Sequence, residues 1–292
     1  MNKTPYWLTD HKASIYSQSG EDGVIKKIFE VLPKKDKWCV EFGAWDGEHL
    51  SNTRNLIENE NYKAILIEGN VKRYEDLKKR NKKNKNIIPI NKFVGFDQED
   101  SLDQILSQTA IPLDFDFLSI DIDGNDYHVW KAMKKYKPKV ICIEFNPTVP
   151  TNIEFVQPAD PHINQGSSLL ALTKLGKENG YELISVLDIN AFFVRAEFFP
   201  LFQIENNSPE VLRTNTNLVT YIFFGYDGKL FLRGNPKMPW HGTELRETRF
   251  QQLPHFLQKF PEDYGPLERM VLILWRFLSD PLYFIKSRFF SH

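Results

Sequence analysis

Cysteine is scarce: Cys39 and Cys142 are the two in 292 residues. They form no CxxC pair and show no His/Cys spacing that would hold zinc. A disulfide scaffold and a zinc centre are therefore excluded, and both read as core thiols of a reducing cytoplasm. Long apolar runs are missing as well. None reaches the roughly 18–20 uninterrupted residues that a bilayer-spanning helix needs. The start, MNKTPYWLTDHK, has no hydrophobic core of the signal-peptide kind, so export is not expected. Charge of one sign is not in excess, because 37 Lys and Arg meet 38 Asp and Glu. That balance argues against a nucleic-acid partner. The densest basic stretch, KKRNKKNKN, carries no interleaved aromatics and reads as a solvated helix face and loop. The dinucleotide fingerprint GxGxxG is absent too.

What the chain does have is a regular alternation of strand and helix signals. Short apolar runs predict strands at Trp38–Phe42, Ala64–Glu68, Ile87–Ile90, Phe117–Ile122 and Val140–Phe145. Two more follow near Tyr181–Leu187 and Ala191–Val194, joined tightly at Asp188–Asn190. Helical spacing falls between them, over residues 20–32, 50–59, 71–83, 101–108 and from Asp126. A further helix is capped at Ser167 or Ser168 and stopped by Gly180. Continuous runs such as ILI and VICI suit strands buried on both faces, hence βαβ units and a mostly parallel sheet. After residue 196 an aromatic stretch lacks periodicity. A hairpin with a DG turn follows at 227–228, and then a helical tail from Pro239.

The stretch WCVEFGAWDGEHLSN, residues 38–52, reads as a buried strand running through a glycine-bearing turn into a helix. In α/β folds that arrangement cradles a nucleotide-like ligand. Its acids, Glu41 and Asp46, would repel a pyrophosphate and favour a cationic, hydroxyl-rich ligand such as S-adenosylmethionine. Acids recur at the carboxyl ends of the strands, where such sheets bind ligands: Glu68, then Asp121 and Asp123, then Glu144. Glu68 suits the two hydroxyls of a ribose. The fourth and fifth strands should lie side by side, bringing Asp121, Asp123 and Glu144 together. Such a set, with the amides of Asn125 or Asn146, suits Mg²⁺, Mn²⁺ or Ca²⁺. Without a metal, one of the acids would serve as a general base. Glu21 and Asp22 read first as first-turn acids of a helix.

The blocks YSQSGEDGVI, WCVEFGAWDGEHLSNT, AILIEGN, FLSIDIDGNDYHVW, VICIEFNP and NQGSSLLALTKLGKENGYELISV occur in this order. Together they resemble the FkbM-related class I methyltransferases, over roughly residues 16–195. The resemblance implies a Rossmann-like α/β fold: a mostly parallel seven-stranded sheet with an antiparallel edge hairpin and helices on both faces. It implies S-adenosylmethionine as cofactor and methyl transfer to oxygen, with sugars of surface polysaccharides or glycoconjugates among the acceptors. Position by position, it makes Gln18, Glu41, Gly43, Asp46, Gly47, Asn52, Glu68 and Asp121 the expected cofactor set. By analogy with metal-dependent O-methyltransferases it makes Asp121, Asp123, Glu144 and Asn146 the expected ligands of Mg²⁺ or Mn²⁺. The DxDGND pattern here departs from those enzymes.

Expected catalytic residues are Asp121, Asp123, Asp126 and His162, with His128 a further base candidate. The domain reading is a methyltransferase domain over 1–235 and a helical extension over 236–292. The aromatic, basic end of that extension, with Trp275, Phe277, Tyr283, Phe284, Phe289 and Phe290, suits a peripheral membrane contact or homodimerisation. The location expected is cytoplasmic, on the inner face of a membrane if that contact is made. Two other functions fit the same residues less fully: a non-catalytic binding protein keeping the fold, and a metal-dependent hydrolase, which would not need Glu41 or Glu68.

Overall fold

The computed structural model describes residues 4–33 and 35–282. The chain divides into two compact units, Met1–Thr216 and Asn217–His292.

The first unit is built on a seven-stranded sheet. Its strands are β1 (Trp38–Phe42), β2 (Lys63–Ile67), β3 (Ile87–Ile90), β4 (Phe117–Ile120), β5 (Val140–Glu144), β6 (Tyr181–Val186) and β7 (Asn190–Arg195). They lie in the order β3-β2-β1-β4-β5-β7-β6. The first five are parallel, while β7 runs antiparallel to both β5 and β6. This is the sheet the resemblance implied, a Rossmann-like class I methyltransferase arrangement with an antiparallel hairpin at one edge. The order reverses between β1 and β4, so a crevice opens at their carboxyl ends.

The crossover helices are α1 (Glu21–Val31), α2 (Arg54–Glu60), α3 (Val71–Arg80), α4 (Leu102–Leu106), α5 (Asp126–Ala132) and α6 (Leu169–Glu178). Each turns an apolar stripe inward; α1, for example, buries Val24, Ile25, Ile28 and Phe29. Side-chain caps fix several starts: Asn70 accepts from Lys72 and Arg73, and Ser168 from Ala171. A short α7 (Pro209–Leu212) ends the unit.

At the amino ends of the strands, opposite the crevice, a buried ion cluster ties three of them together. Lys139 Nζ donates to Asp116 at 2.7 Å and to Asp36 at 2.5 Å. Asp116, wholly buried, also accepts the backbone N–H groups of Asp36 and Lys37. These residues stand just before β1, β4 and β5, so the cluster sets the strand starts and leaves the carboxyl ends to chemistry.

The second unit carries the hairpin β8 (Thr220–Phe224) and β9 (Leu230–Gly234), which pairs apart from the large sheet. The hairpin that the sequence assigned to a first domain ending at 235 therefore falls in the unit beginning at Asn217. A two-residue pairing of β10 (Lys237–Met238) with β11 (Thr243–Glu244) follows, then α8 (Glu247–Phe250) and α9 (Pro266–Ser279). Glu247 accepts the N–H of Leu232, and the Gln251 amide brackets the N–H and C=O of Leu230. Among the described residues no helix is long and apolar enough to cross a membrane. Tyr283, Phe284, Phe289 and Phe290 of the expected membrane segment lie outside the described residues.

Candidate active site at the carboxyl ends of the strands

Glu41, near the end of β1, is only 5% exposed, and its carboxylate is bound by the loop that follows. Oε2 accepts the hydroxyls of Ser51 and Thr53, each at 2.6 Å, and Oε1 accepts the Asn52 N–H at 2.8 Å. Burial pushes its pKa up, and these three bonds oppose the rise. Through these bonds Glu41 folds the loop that follows β1. The same bonds explain why α2 starts at Arg54 and not near residue 50: residues 51–53 are drawn off to the strand. Asn52 is likewise internal. Its side-chain amide donates to Ser119 Oγ on β4 at 3.0 Å, so it braces β1 to β4 instead of reaching the crevice.

Gly43 is the residue at which β1 leaves the sheet. It holds φ +76°, and a Cβ there would sit 2.0 Å from the Asp121 carbonyl oxygen. Only glycine lets the β1 and β4 exits approach this closely. Gly47 also holds a left-handed conformation, beneath Leu77. Asp46 closes the turn between these glycines: its Oδ1 accepts from Glu48 and His49, and its Oδ2 pairs with Arg80 at 3.2 Å. Partial burial raises its pKa, but the two N–H groups and the Arg80 guanidinium outweigh that and hold it below the ordinary value. Asp46 thus shapes the turn, and the expected ligand contact is not what its bonds serve.

Glu68, just past β2, joins the two turns at the crevice. Oε2 accepts from Trp45 N at 2.9 Å and Oε1 from Asn70 N at 2.7 Å. Each oxygen keeps a lone pair, so the ribose role remains open to it. Trp45 itself takes a left-handed φ of +47°, uncommon for a bulky residue. Its half-exposed indole stacks under the Arg73 guanidinium at 4.2 Å.

The acids expected to converge do so. Oxygen atoms of Asp121, Asp123 and Glu144 all lie within 4.8 Å of one another. Asp121 follows β4 directly and Glu144 closes β5, so parallel pairing brings them side by side. Burial, then the charges of Asp126 and Asp123, drive the Asp121 pKa upward. Burial, then the charge of Asp121, does the same for Glu144. The two share a hydrogen bond, and their crowding favours the protonated form of the pair. A divalent cation would replace that proton, and three hard oxygen donors at this spacing fit such an ion. Asp123 is exposed and holds φ +59°, at the tip of the turn into α5.

Three expected site residues serve the fold instead. Asp126 is buried and turns inward; its carboxylate accepts the N–H groups of Ile122 and Gly124 at 3.0 and 2.9 Å, closing the turn. It is not placed to take a proton from an acceptor. Asn146 spends its one acceptor oxygen on Thr148, at 2.9 Å to N and 2.6 Å to Oγ1, and its amide on Gln165 O at 2.7 Å. That leaves it poorly suited as a metal ligand. The His128 ring contacts the Gln157 carbonyl at 2.8 Å and anchors a loop.

That loop, residues 153–167, walls the site, and Gln157 is its pin. The Gln157 side chain, 1% exposed, donates to Ile163 O and accepts from Gln165 N and Gly166 N. Asn164 donates to Asp123 O and Asn125 to Asp160 O, sewing the loop onto the DGN turn. His162 stands exposed on it, its backbone N–H on Asp160. Gln18 is also exposed, at the end of a curl gathered by Asp22 Oδ2, which accepts from Ile15, Tyr16 and Ser17. Glu21 links this curl to Asn190, the β7 residue opposite Glu144. Glu21 and Asp22 therefore bind the preceding curl, beyond any effect on the helix dipole. Gln157, Ser51 and Thr53 carry no local sequence signal, because their partners are set by tertiary packing.

No family model matches the chain, and no curated protein matches it. Solved structures similar to it include the citrinin polyketide synthase CMeT domain, at 12% identity and TM-score 0.42 over 62% of this chain and 55% of that one. Another is the N-terminal domain of EvdMO1 in the presence of SAH and D-fucose, at 10% identity and TM-score 0.39, covering 60% of this chain and 80% of that one. A third is a SAM-dependent methyltransferase from Aquifex aeolicus, at 12% identity and TM-score 0.39, covering 65% and 96%. The chain spans about half the length of the first. At these scores the fold rests on the strand order itself.

Proposed function

We propose that this chain is an S-adenosylmethionine-dependent O-methyltransferase assisted by a divalent cation, acting on a sugar hydroxyl of a surface polysaccharide or glycoconjugate. The observation that carries the reading is the gathering of Asp121, Asp123 and Glu144 at the strand exits, beside the Gly43 turn and Glu68. Glu68 would accept the ribose hydroxyls, and the open carboxylates would favour the cationic methionine end. A bound methyl donor supplies an activated methyl carbon. The protein's own task is then to align the acceptor oxygen with that carbon and to take its proton. Asp121, Asp123 and Glu144 would hold Mg²⁺ or Mn²⁺, which would orient neighbouring sugar oxygens and lower the pKa of the hydroxyl. With Asp123 on the cation, the proton acceptor would be His162, exposed on the loop that Asn164 ties to Asp123 O. The acceptor class comes from the sequence resemblance.

Calorimetry with S-adenosylhomocysteine tests the cofactor. Binding by the wild type, weakened at least tenfold in Glu68→Ala, is expected; no binding by the wild type would overturn the reading. Methyl transfer should be lost in Asp121→Asn, and full activity of that variant in EDTA would remove the cation from the proposal.

A further inference from the structure

Among the described residues of the second unit many large apolar side chains are exposed, and seven of them lie on one helix. On α9, Leu267, Met270, Leu274 and Leu278 recur at three- and four-residue spacing and so line one face. They are 67%, 62%, 55% and 65% exposed. Ile273 widens the stripe, and Leu282, beyond the helix, is 76% exposed. The adjoining side is the one that packs: Val271 and Leu272 are half-buried, and the Trp275 indole N–H donates to Gln252 O at 2.9 Å. The exposed stripe is thus not a frayed core face. It is the uncovered part of one broad apolar band whose other part is docked.

Charge decides what covers it. Arg269 and Arg276, seven residues apart and so one above the other, flank Ile273 at the edge of the apolar band. After Asp280 the sequence holds Lys286, Arg288 and six aromatic or large aliphatic residues, with no acid. From residue 217 onward, ten Lys and Arg stand against seven Asp and Glu, whereas the remainder of the chain has an acidic excess. An apolar stripe edged by arginine and continued by aromatic and basic residues is the pattern of a helix lying in the plane of an anionic lipid surface. It does not favour self-pairing, since two copies in antiparallel contact would bring like-charged rims together. We infer that α9 docks the protein onto an anionic bilayer, its Leu267–Leu278 stripe among the acyl chains and its arginines at the headgroups.

Co-sedimentation of the full chain with vesicles tests this, using phosphatidylcholine alone and phosphatidylcholine mixed with phosphatidylglycerol. The mixed vesicles should retain the protein, and the neutral ones should retain much less. Leu274→Asp, at an exposed site that leaves the fold alone, should weaken partitioning more than about tenfold. Arg269→Gln with Arg276→Gln should weaken it about fivefold per charge removed and flatten its salt dependence. Failure of the wild type to bind mixed vesicles would overturn the inference. So would wild-type dimers in light scattering that Leu274→Asp converts to monomers, because the stripe would then be a protein interface.

Discussion

Gly43 and Asp121 meet across the switch point of the sheet, with the carbonyl oxygen of one filling the space a side chain would need on the other. This contact joins the first strand's exit, which faces the expected cofactor, to the fourth strand's exit, which carries the acids. Gly43→Ala must accept a left-handed φ and move the Asp121 backbone. It should destabilise the protein by about 2 kcal/mol or more and weaken S-adenosylhomocysteine binding together with stability. Chemical denaturation and calorimetry on the same sample check both. A stable variant that binds normally would show that the two exits move independently.

Glu41 and Asp121 are both buried strand-end acids, yet their variants should behave oppositely. Removing Glu41 strands the donors of Ser51, Asn52 and Thr53, so Glu41→Ala should cost about 3 kcal/mol of stability. Asp121→Asn relieves a crowd of carboxylates and should leave stability unchanged or higher while abolishing transfer. Thermal melts of the two variants beside the wild type decide this. Equal losses of stability would mean that both acids serve the fold.

How much of this was legible follows from the kind of signal involved. Strand positions and the run of strand-end acids were readable, because short continuous apolar runs and a terminal Asp or Glu are local features. The convergence of Asp121, Asp123 and Glu144 followed from parallel neighbours alone. What local pattern does not contain is the destination of a hydrogen bond. Glu41, Asp46 and Asn52 look like ligand contacts in sequence and are spent on the turn that presents the site. Asp126 and Asn146 differ from Asp121 and Glu144 only in which way the backbone turns them. The helix expected from residue 50 was delayed to Arg54 by a carboxylate ten residues upstream, which no window centred on the helix weighs.

The acid pair gives the protein a definite pH response. Folding raises the pKa of both Asp121 and Glu144, so the folded chain binds more protons than the unfolded one. The stability this brings is fully present below the unfolded carboxylate value, about 4, and is lost as pH climbs through the raised folded values. In EDTA the melting temperature should fall between about pH 5 and about pH 9, with a shallower slope in Asp121→Asn. Mg²⁺ or Mn²⁺ takes the place of the protons, so its stabilisation should grow with pH. A cation effect absent at every pH, with the slope intact, would leave an acid pair that holds protons and no metal.

Gln157 offers a way to loosen the wall of the site without touching the acids. Its buried amide makes three bonds to residues 163–166 of its own loop, and the loop in turn holds Asp123 O through Asn164. Gln157→Ala removes all three and leaves backbone groups to find water. The cost should be about 1–3 kcal/mol, confined to the loop. Limited proteolysis should then cut within residues 158–165 while the sheet stays intact, since its strands share none of these bonds. If the loop orients the acceptor, the variant's KM for acceptor should rise several-fold while S-adenosylhomocysteine affinity, which we propose Glu68 supports, stays put. Parallel losses in both would mean that the loop supports the whole crevice, and an unchanged KM would free it of any part in acceptor binding.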